Sequence, residues 1–467
     1  MLSRTNCTLI LSGILQCLGC QGTHHARFTS EQATRTSIIL NSEERASANE
    51  GGIQPVSHDA AAEQGPWTLQ RLLDQAAEAH PDLAAARAKA DIARGQLVQA
   101  GLYPNPTVGW RSEEVSFNKA GGGQQGPYIN QEIVTGDKLA IAQAAAAHGV
   151  TAADWAATTK WYGIATKIRV AYYEVVTAEQ VLGSAKEIEA LLRVSAEKAE
   201  KLLVDGSMLS FDVRKTQVEL TLSTAKRETA ERRLDAAKKN LAAVSGLATD
   251  AINKLGGQLE VLAPNYEWTS SLAAMLARSS EIQELQSAIN QAQEMIRLAE
   301  AQIVPNLQLQ ARPVYDFPER NAMLFVEAGI SLPVFNRNQG NIMAARAELA
   351  RSDAELRQTQ LRLTERLTEA FRRYQSAKVQ MAGLHKAQNQ AEDAFKLVQT
   401  AFSADSKSAR YLDVLDAQRT LYQVRMELIE TQGESWKALS ELEGLIQSDQ
   451  PRGTIPTGSG SPCILLP

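Results

Sequence analysis

The residues best suited to chemistry are few and widely spaced. The six histidines are His24, His25, His58, His80, His148 and His385, and only the first two are adjacent. The four cysteines, Cys7, Cys17, Cys20 and Cys463, all lie outside the body of the chain. A structural or catalytic metal needs three or four such ligands at close spacing, and no His-Glu-x-x-His or paired-cysteine pattern occurs. Gly121-Gly122-Gly123 is followed by an alternating run instead of a helix, so it reads as a loop tip and not as a phosphate cradle. There is no nucleophile elbow. Asp413 and Asp416 form an acidic pair at the start of a helical segment. By residue type alone Asp413 suits helix capping and Asp416 complements the helix dipole. The expectation is a protein without catalysis, cofactor or bound metal, whose function is carried by shape.

That shape is written twice. Trp67-Thr68 recurs as Trp268-Thr269, Pro104-Asn105 as Pro305-Asn306 and Asp212-Val213 as Asp413-Val414, each about 200 residues later. The conserved order is helix, Pro-Asn breaker, alternating run, loop, alternating run, very long helix, turn and helix, as expected of a diverged duplication. No proline interrupts residues 137–203, and Ile164, Ile168, Ala171, Val175, Ala178, Leu182 and Ala185 keep the three-four spacing of a helical seam. At ~1.5 Å per residue such a helix is about 100 Å long. Residues 340–402 form a near-equal counterpart. The shorter segments, Thr68 to Gly101 and Phe211 to Ser245, read as single helices that together match the first long one. The arrangement predicted is one continuous helix against two stacked shorter ones, in each repeat.

Four short runs alternate with period two. Leu307, Leu309 and Ala311 oppose Gln308, Gln310 and Arg312, and Leu324, Val326, Ala328, Ile330 and Leu332 oppose Phe325, Glu327, Gly329 and Ser331. The first repeat is noisier, with Val108 and Trp110 against Thr107, Gly109 and Arg111, then Ile129, Gln131 and Ile133 against Tyr128, Asn130 and Glu132. Strands of this length with one apolar face fit a membrane barrel or a soluble sheet with one wet face. Four strands do not close a barrel. Three chains would supply twelve strands and enclose a lumen.

The chain has 467 residues, a net charge of −5 and few aromatic residues, which argues against a nucleic-acid partner. Arg4 and the apolar stretch Leu9 to Leu18 read as an export signal over residues 1–20. Its ending, Leu18-Gly19-Cys20, resembles a lipoprotein signal that would leave Cys20 acylated. Residues 21–65 read as a flexible tether and 448–467 as a disordered tail. Between them lie a first repeat over 66–247, a linker over 248–266 and a second repeat over 267–447.

Three passages carry a family resemblance: Tyr103-Pro-Asn-Pro106, Ile330-Ser-Leu-Pro-Val-Phe-Asn-Arg-Asn-Gln-Gly340 and Tyr411-Leu-Asp-Val-Leu-Asp-Ala-Gln-Arg419. Over roughly residues 66–447 the chain resembles the TolC-type outer-membrane efflux proteins, with wording closest to the heavy-metal branch. The resemblance implies a mainly α homotrimer, its duplicated hairpins forming an α-barrel and its strands a shared 12-stranded transmembrane β-barrel. It implies residence in the outer membrane of a Gram-negative-type bacterium, contact with lipid, and extension into the periplasm. The partners implied are a periplasmic adaptor (membrane fusion) protein and an inner-membrane RND-type transporter, and the cargo heavy-metal cations. It also implies that Asp413 and Asp416 ring the periplasmic mouth, with Arg410 a candidate tie. The hairpin tips Val204, Asp205 and Gly206, and Ala404, Asp405 and Ser406, would meet the adaptor. The alternatives are a periplasmic coiled-coil structural or adaptor-like lipoprotein, or the same channel serving drug efflux or type I secretion.

Overall fold

The computed structural model describes residues 66–114, 123–206, 208–257, 265–404 and 410–447. Two short helices open the first repeat, α1 (Leu69–Ala79) and α2 (Pro81–Ala100). Strands β1 (Thr107–Glu113) and β2 (Gln124–Ile133) follow, then the 67-residue α3 (Lys138–Val204) and the 35-residue α4 (Ser210–Val244). The second repeat has the same order: α5 (Trp268–Arg278), α6 (Ser280–Ala301), β3 (Leu307–Asp316), β4 (Asn321–Ile330), α7 (Gln339–Ala404) and α8 (Tyr411–Ile446).

The single helix expected from Thr68 to Gly101 is broken. His80 takes an extended conformation, its Nδ1 accepts from the Asp82 amide at 3.1 Å, and Pro81 occupies the first position of α2. Proline there costs nothing because that amide has no helical partner, whereas within a continuous helix it would remove one. The second repeat breaks at Ser279 without any proline, so packing of α5, not local propensity, decides the break there.

The helices form four parallel staves. α3 lies between a stave made of α2 and α4 and a stave made of α6 and α8, and α7 packs on the far side of the latter. Each composite stave is joined end to end. At the α4–α2 joint, Gly246 has φ +73° and lies where a Cβ would be 3.4 Å from both His80 and Pro81. At the α8–α6 joint, Gln447 Oε1 accepts from the Ser280 amide at 3.0 Å, and its Nε2 donates to Ser280 Oγ at 2.9 Å. These bonds satisfy groups that helix termini leave open. All seven residues of the predicted α3 seam, from Ile164 to Ala185, are buried. The short helices α1 and α5 cover the joints: Leu72, Leu73 and Ala76 pack on Ile168, Tyr172 and Val175, and Met275 packs with Leu363, Leu367 and Leu442.

The sheet has the order β1-β2-β3-β4, all antiparallel. Its register sorts the side chains by face. Val108, Ile129, Ala311 and Val326 lie in one row, and Trp110, Pro127, Pro313 and Leu324 in the next on the same face. The opposite face carries Thr107, Asn130, Gln310 and Glu327. Pro127 and Pro313 oppose each other, and the β2–β3 ladder is interrupted between Gln125↔Tyr315 and Ile129↔Ala311, because neither proline has an N–H to donate. Leu332, expected in the last strand, lies beyond its end at Ile330. No described helix is long and apolar enough to cross a membrane.

Candidate gate and pore surface

The sequence-derived acids sit where α8 begins. Arg410 is the N-cap, and its amide donates to Asp413 Oδ2 at 2.9 Å, while its guanidinium lies 3.4 Å from Oδ1. The backbone hydrogen bond, then the guanidinium, holds the Asp413 carboxyl below its usual range. Asp413 is therefore engaged within its own helical turn, and Arg410 pairs there too. Asp416, one turn on, is 63% exposed and faces Lys215 of α4 at 3.8 Å. Of the three residues, only Asp416 makes a described ion pair with the other hairpin.

That contact is one of a series. The α4 residues Lys215, Glu219 and Arg233 face the α8 residues Asp416, Arg419 and Glu430 at 3.8, 3.6 and 3.2 Å. Residues at such spacings share one helix face, so charges line up in two facing columns across α3. Asp416, Glu427, Glu430 and Glu434 share one exposed face of α8. Further along, Glu174 of α3 accepts from Arg233 at 3.0 Å and Lys437 at 2.6 Å. Burial pushes the Glu174 carboxyl up, but the hydrogen bonds from Lys437 and Arg233 outweigh it and hold it below its usual range. The helices pack closely at this level. Tyr173 stacks on Trp436 with centroids 5.1 Å apart, and Gly433 lies directly against Thr177.

Sequence reasoning placed Tyr411 in a motif without giving it a role. Its hydroxyl donates to the Ser195 carbonyl at 2.9 Å, tying the start of α8 to α3. Lys198 lies 5.2 Å from the Phe402 ring centroid and 5.9 Å from that of Tyr411. A signal existed, since aromatic residues flank the second turn, but the partner on α3 is more than 200 residues distant. At the first tip, α3 ends at Val204, Asp205 is the C-cap and Gly206 takes φ +72°. Val204, Leu209 and Phe211 are exposed around it, Val204 at 87%. Ala404 is the last residue of α7, whereas Asp405 and Ser406, like Cys20, lie outside the described residues. Among the described residues, no group of three or more His, Cys, Asp or Glu side chains is placed to hold a metal ion.

At the other end, the polar face of the sheet has its own order. Arg312 lies 4.9 Å from the Phe325 ring and 2.8 Å from Glu113, which also takes Arg111 at 2.8 Å. The opposite face exposes Val108, Trp110, Leu324 and Val326 to the surroundings. A four-stranded sheet with one apolar and one charged face, continued by long helical staves, is the fold of one subunit of a barrel-and-tunnel protein.

Comparison with known proteins agrees. Residues 272–446 match the family described as Outer membrane efflux protein. The chain is 24% identical over 383 residues to the cobalt-zinc-cadmium resistance protein CzcC of Cupriavidus metallidurans, covering 82% of this chain and 90% of that protein. Among solved structures it resembles the outer membrane protein VceC of Vibrio cholerae (TM-score 0.67, 20% identity, 81% of this chain and 95% of that one). It likewise resembles CusC (TM-score 0.69, 19% identity, 81% and 91%). The family match lies within the second repeat, and the likeness to the solved outer-membrane proteins extends the same fold over about four fifths of the chain.

Proposed function

We propose that three copies of this chain close into one pore that conducts heavy-metal cations outward, supplied by an inner-membrane transporter of RND type through a periplasmic adaptor. The observation that carries the reading is the matching of open edges. The sheet ends at β1 and β4, and the stave array ends at α2/α4 and α7. β1 follows α2 directly and β4 leads into α7, so both layers are open on the same two sides. Such head-to-tail edges close by rotation into a ring, and three copies give twelve strands and twelve staves. Exposed apolar residues on α7, among them Leu361, Val379 and Leu397, and on the α2/α4 stave, Ile92, Val98 and Val218, are then the meeting surfaces.

The outward sheet face supports lipid contact, which a periplasmic coiled-coil lipoprotein would not need. The acidic face of α8 supports cations as cargo, as does the similarity to CzcC. Asp416 is the stronger candidate for the mouth, because the charge of Asp413 is engaged at its own helix cap. The apolar first tip, Val204-Asp205-Gly206, with the second tip at Ala404-Asp405-Ser406, supports an adaptor contact, and Cys20 would add a lipid anchor. Single-channel conductance in planar bilayers tests the reading. Wild type should be cation-selective, Asp416→Asn should lower that selectivity, and Asp413→Asn should change it little. A protein that gives no pore, or an anion-selective one, overturns it.

A further inference from the structure

The two facing columns of charge on α4 and α8 contain a rung that is not made. Lys215–Asp416, Glu219–Arg419 and Arg233–Glu430 each pair across the gap. Lys226 and Glu427 fall on the same faces, three turns beyond Lys215 and Asp416, and stand about 200 residues apart like the pairs on either side. Both are exposed, and neither pairs with the other or with any other described residue. Between them lies a groove of about 400 Å³. Its apolar lining comes from Ile188 and Leu192 of α3, Leu222 of α4, and Leu415 and Met426 of α8.

The groove has a packing origin. The α3 seam is buried as far as Ala185, and there Val181, Leu182 and Ala185 pack with Met426 and Ile429. Beyond it Ile188 and Leu192 are only half-buried, and the Tyr411–Ser195 bond ties the start of α8 to α3. Along the groove the hairpins are bridged by the ion pairs Lys215–Asp416 and Glu219–Arg419. A volume of this size is in the range of drug-sized ligand sites.

We infer that this groove binds an amphipathic zwitterion, a molecule with an apolar body carrying both an ammonium and a carboxylate or sulfonate. The apolar lining takes the body, Glu427 takes the ammonium, and Lys226 takes the anion. A metal ion would gain nothing from the apolar lining. A simple cation would leave Lys226 without a partner, and a simple anion would leave Glu427 so. The neighbouring rungs already pair, which directs a dipolar ligand to this position along the columns. Binding here is independent of conduction: a protein that binds but forms no pore keeps this site and loses the channel, and the reverse also holds.

Fluorescence titration of the detergent-solubilised full chain with Nε-dansyl-lysine, a fluorescent zwitterion, tests the site. Dansylcadaverine, a cation, and dansylglycine, an anion, are the comparisons. Wild type should bind dansyl-lysine at least about tenfold more tightly than either, the factor that ~1.4 kcal/mol confers. Lys226→Ala and Glu427→Gln should each weaken it about tenfold, and Glu427→Gln should also abolish any preference for dansylcadaverine. The swap Lys226→Glu/Glu427→Lys should restore dansyl-lysine binding, because it keeps the dipole and reverses it. Both positions are exposed, so unchanged helical circular dichroism is expected for every variant. Equal binding by all variants, a swap that does not recover, or dansylcadaverine binding as tightly as dansyl-lysine overturns the proposal.

Discussion

Replacing Gly433 by alanine should destabilise the protein, although alanine is the better helix former. In an exposed helix interior the change stabilises by about 0.8–1 kcal/mol. At Gly433 an added Cβ would lie 2.2 Å from Thr177 Oγ1 and 2.7 Å from its methyl carbon. Thr177 is 1% exposed, and its hydroxyl donates to the Tyr173 carbonyl at 2.7 Å, so it has little room to turn away. Overpacking of this kind costs roughly 1–3 kcal/mol. The two terms sum to a net loss of about 0–2 kcal/mol, and the sign is the test. Gly183 on α3 supplies the control, since nothing lies within 4 Å of its would-be Cβ. Gly183→Ala should therefore raise the thermal midpoint of the helical circular dichroism signal, while Gly433→Ala lowers it. Thr177→Ala in the Gly433→Ala background should recover most of the loss, with a coupling energy of at least about 0.5 kcal/mol in a double-mutant cycle. If Gly433→Ala stabilises as much as Gly183→Ala, or Thr177→Ala does not rescue it, the close α3–α8 approach is refuted.

Other outcomes follow from the same geometry. Val326→Arg, on the outward face of β4, should cost up to about 2–4 kcal/mol and reduce recovery of protein in outer-membrane fractions. Gln310→Arg, on the polar face, should assemble normally, and equal loss by both would reverse the assigned faces. Burial, then the nearby charge of Glu281, raises the Glu284 carboxyl above its usual value. The folded chain then holds this proton more tightly than the unfolded chain, so this group lowers stability as pH rises above the ordinary glutamate range, about 4.3. Glu284→Gln should raise the melting midpoint at pH 7 and flatten its decline between pH 4 and 7; a midpoint unchanged at both pH values would exclude the effect. Tyr411→Phe removes the hydrogen bond to Ser195 and should speed amide exchange at the start of α8 while leaving residues near Gly433 unchanged. Uniform exchange in both regions would show that Tyr411 is not a local tie.

Much of this protein was legible in the residues themselves. Local rules act strongly where they agree over long stretches. A three-four seam kept from Ile164 to Ala185 in a proline-free run leaves no alternative to helix, and period two in β3 and β4 sorts their faces without knowledge of any partner. The duplication also makes each repeat a check on the other. Tertiary structure decided what depends on contacts distant in the chain. The break at Ser279 has no proline to announce it and exists because α5 packs against α7 and α8. The engagement of Asp413 by its own N-cap, and of Asp416 by Lys215, separates two aspartates that the sequence presents as equals. The unmade rung between Lys226 and Glu427 is visible only once α4 and α8 are set across α3. Periodicity specifies which face a residue occupies. Only the packing of one helix on another specifies what that face meets.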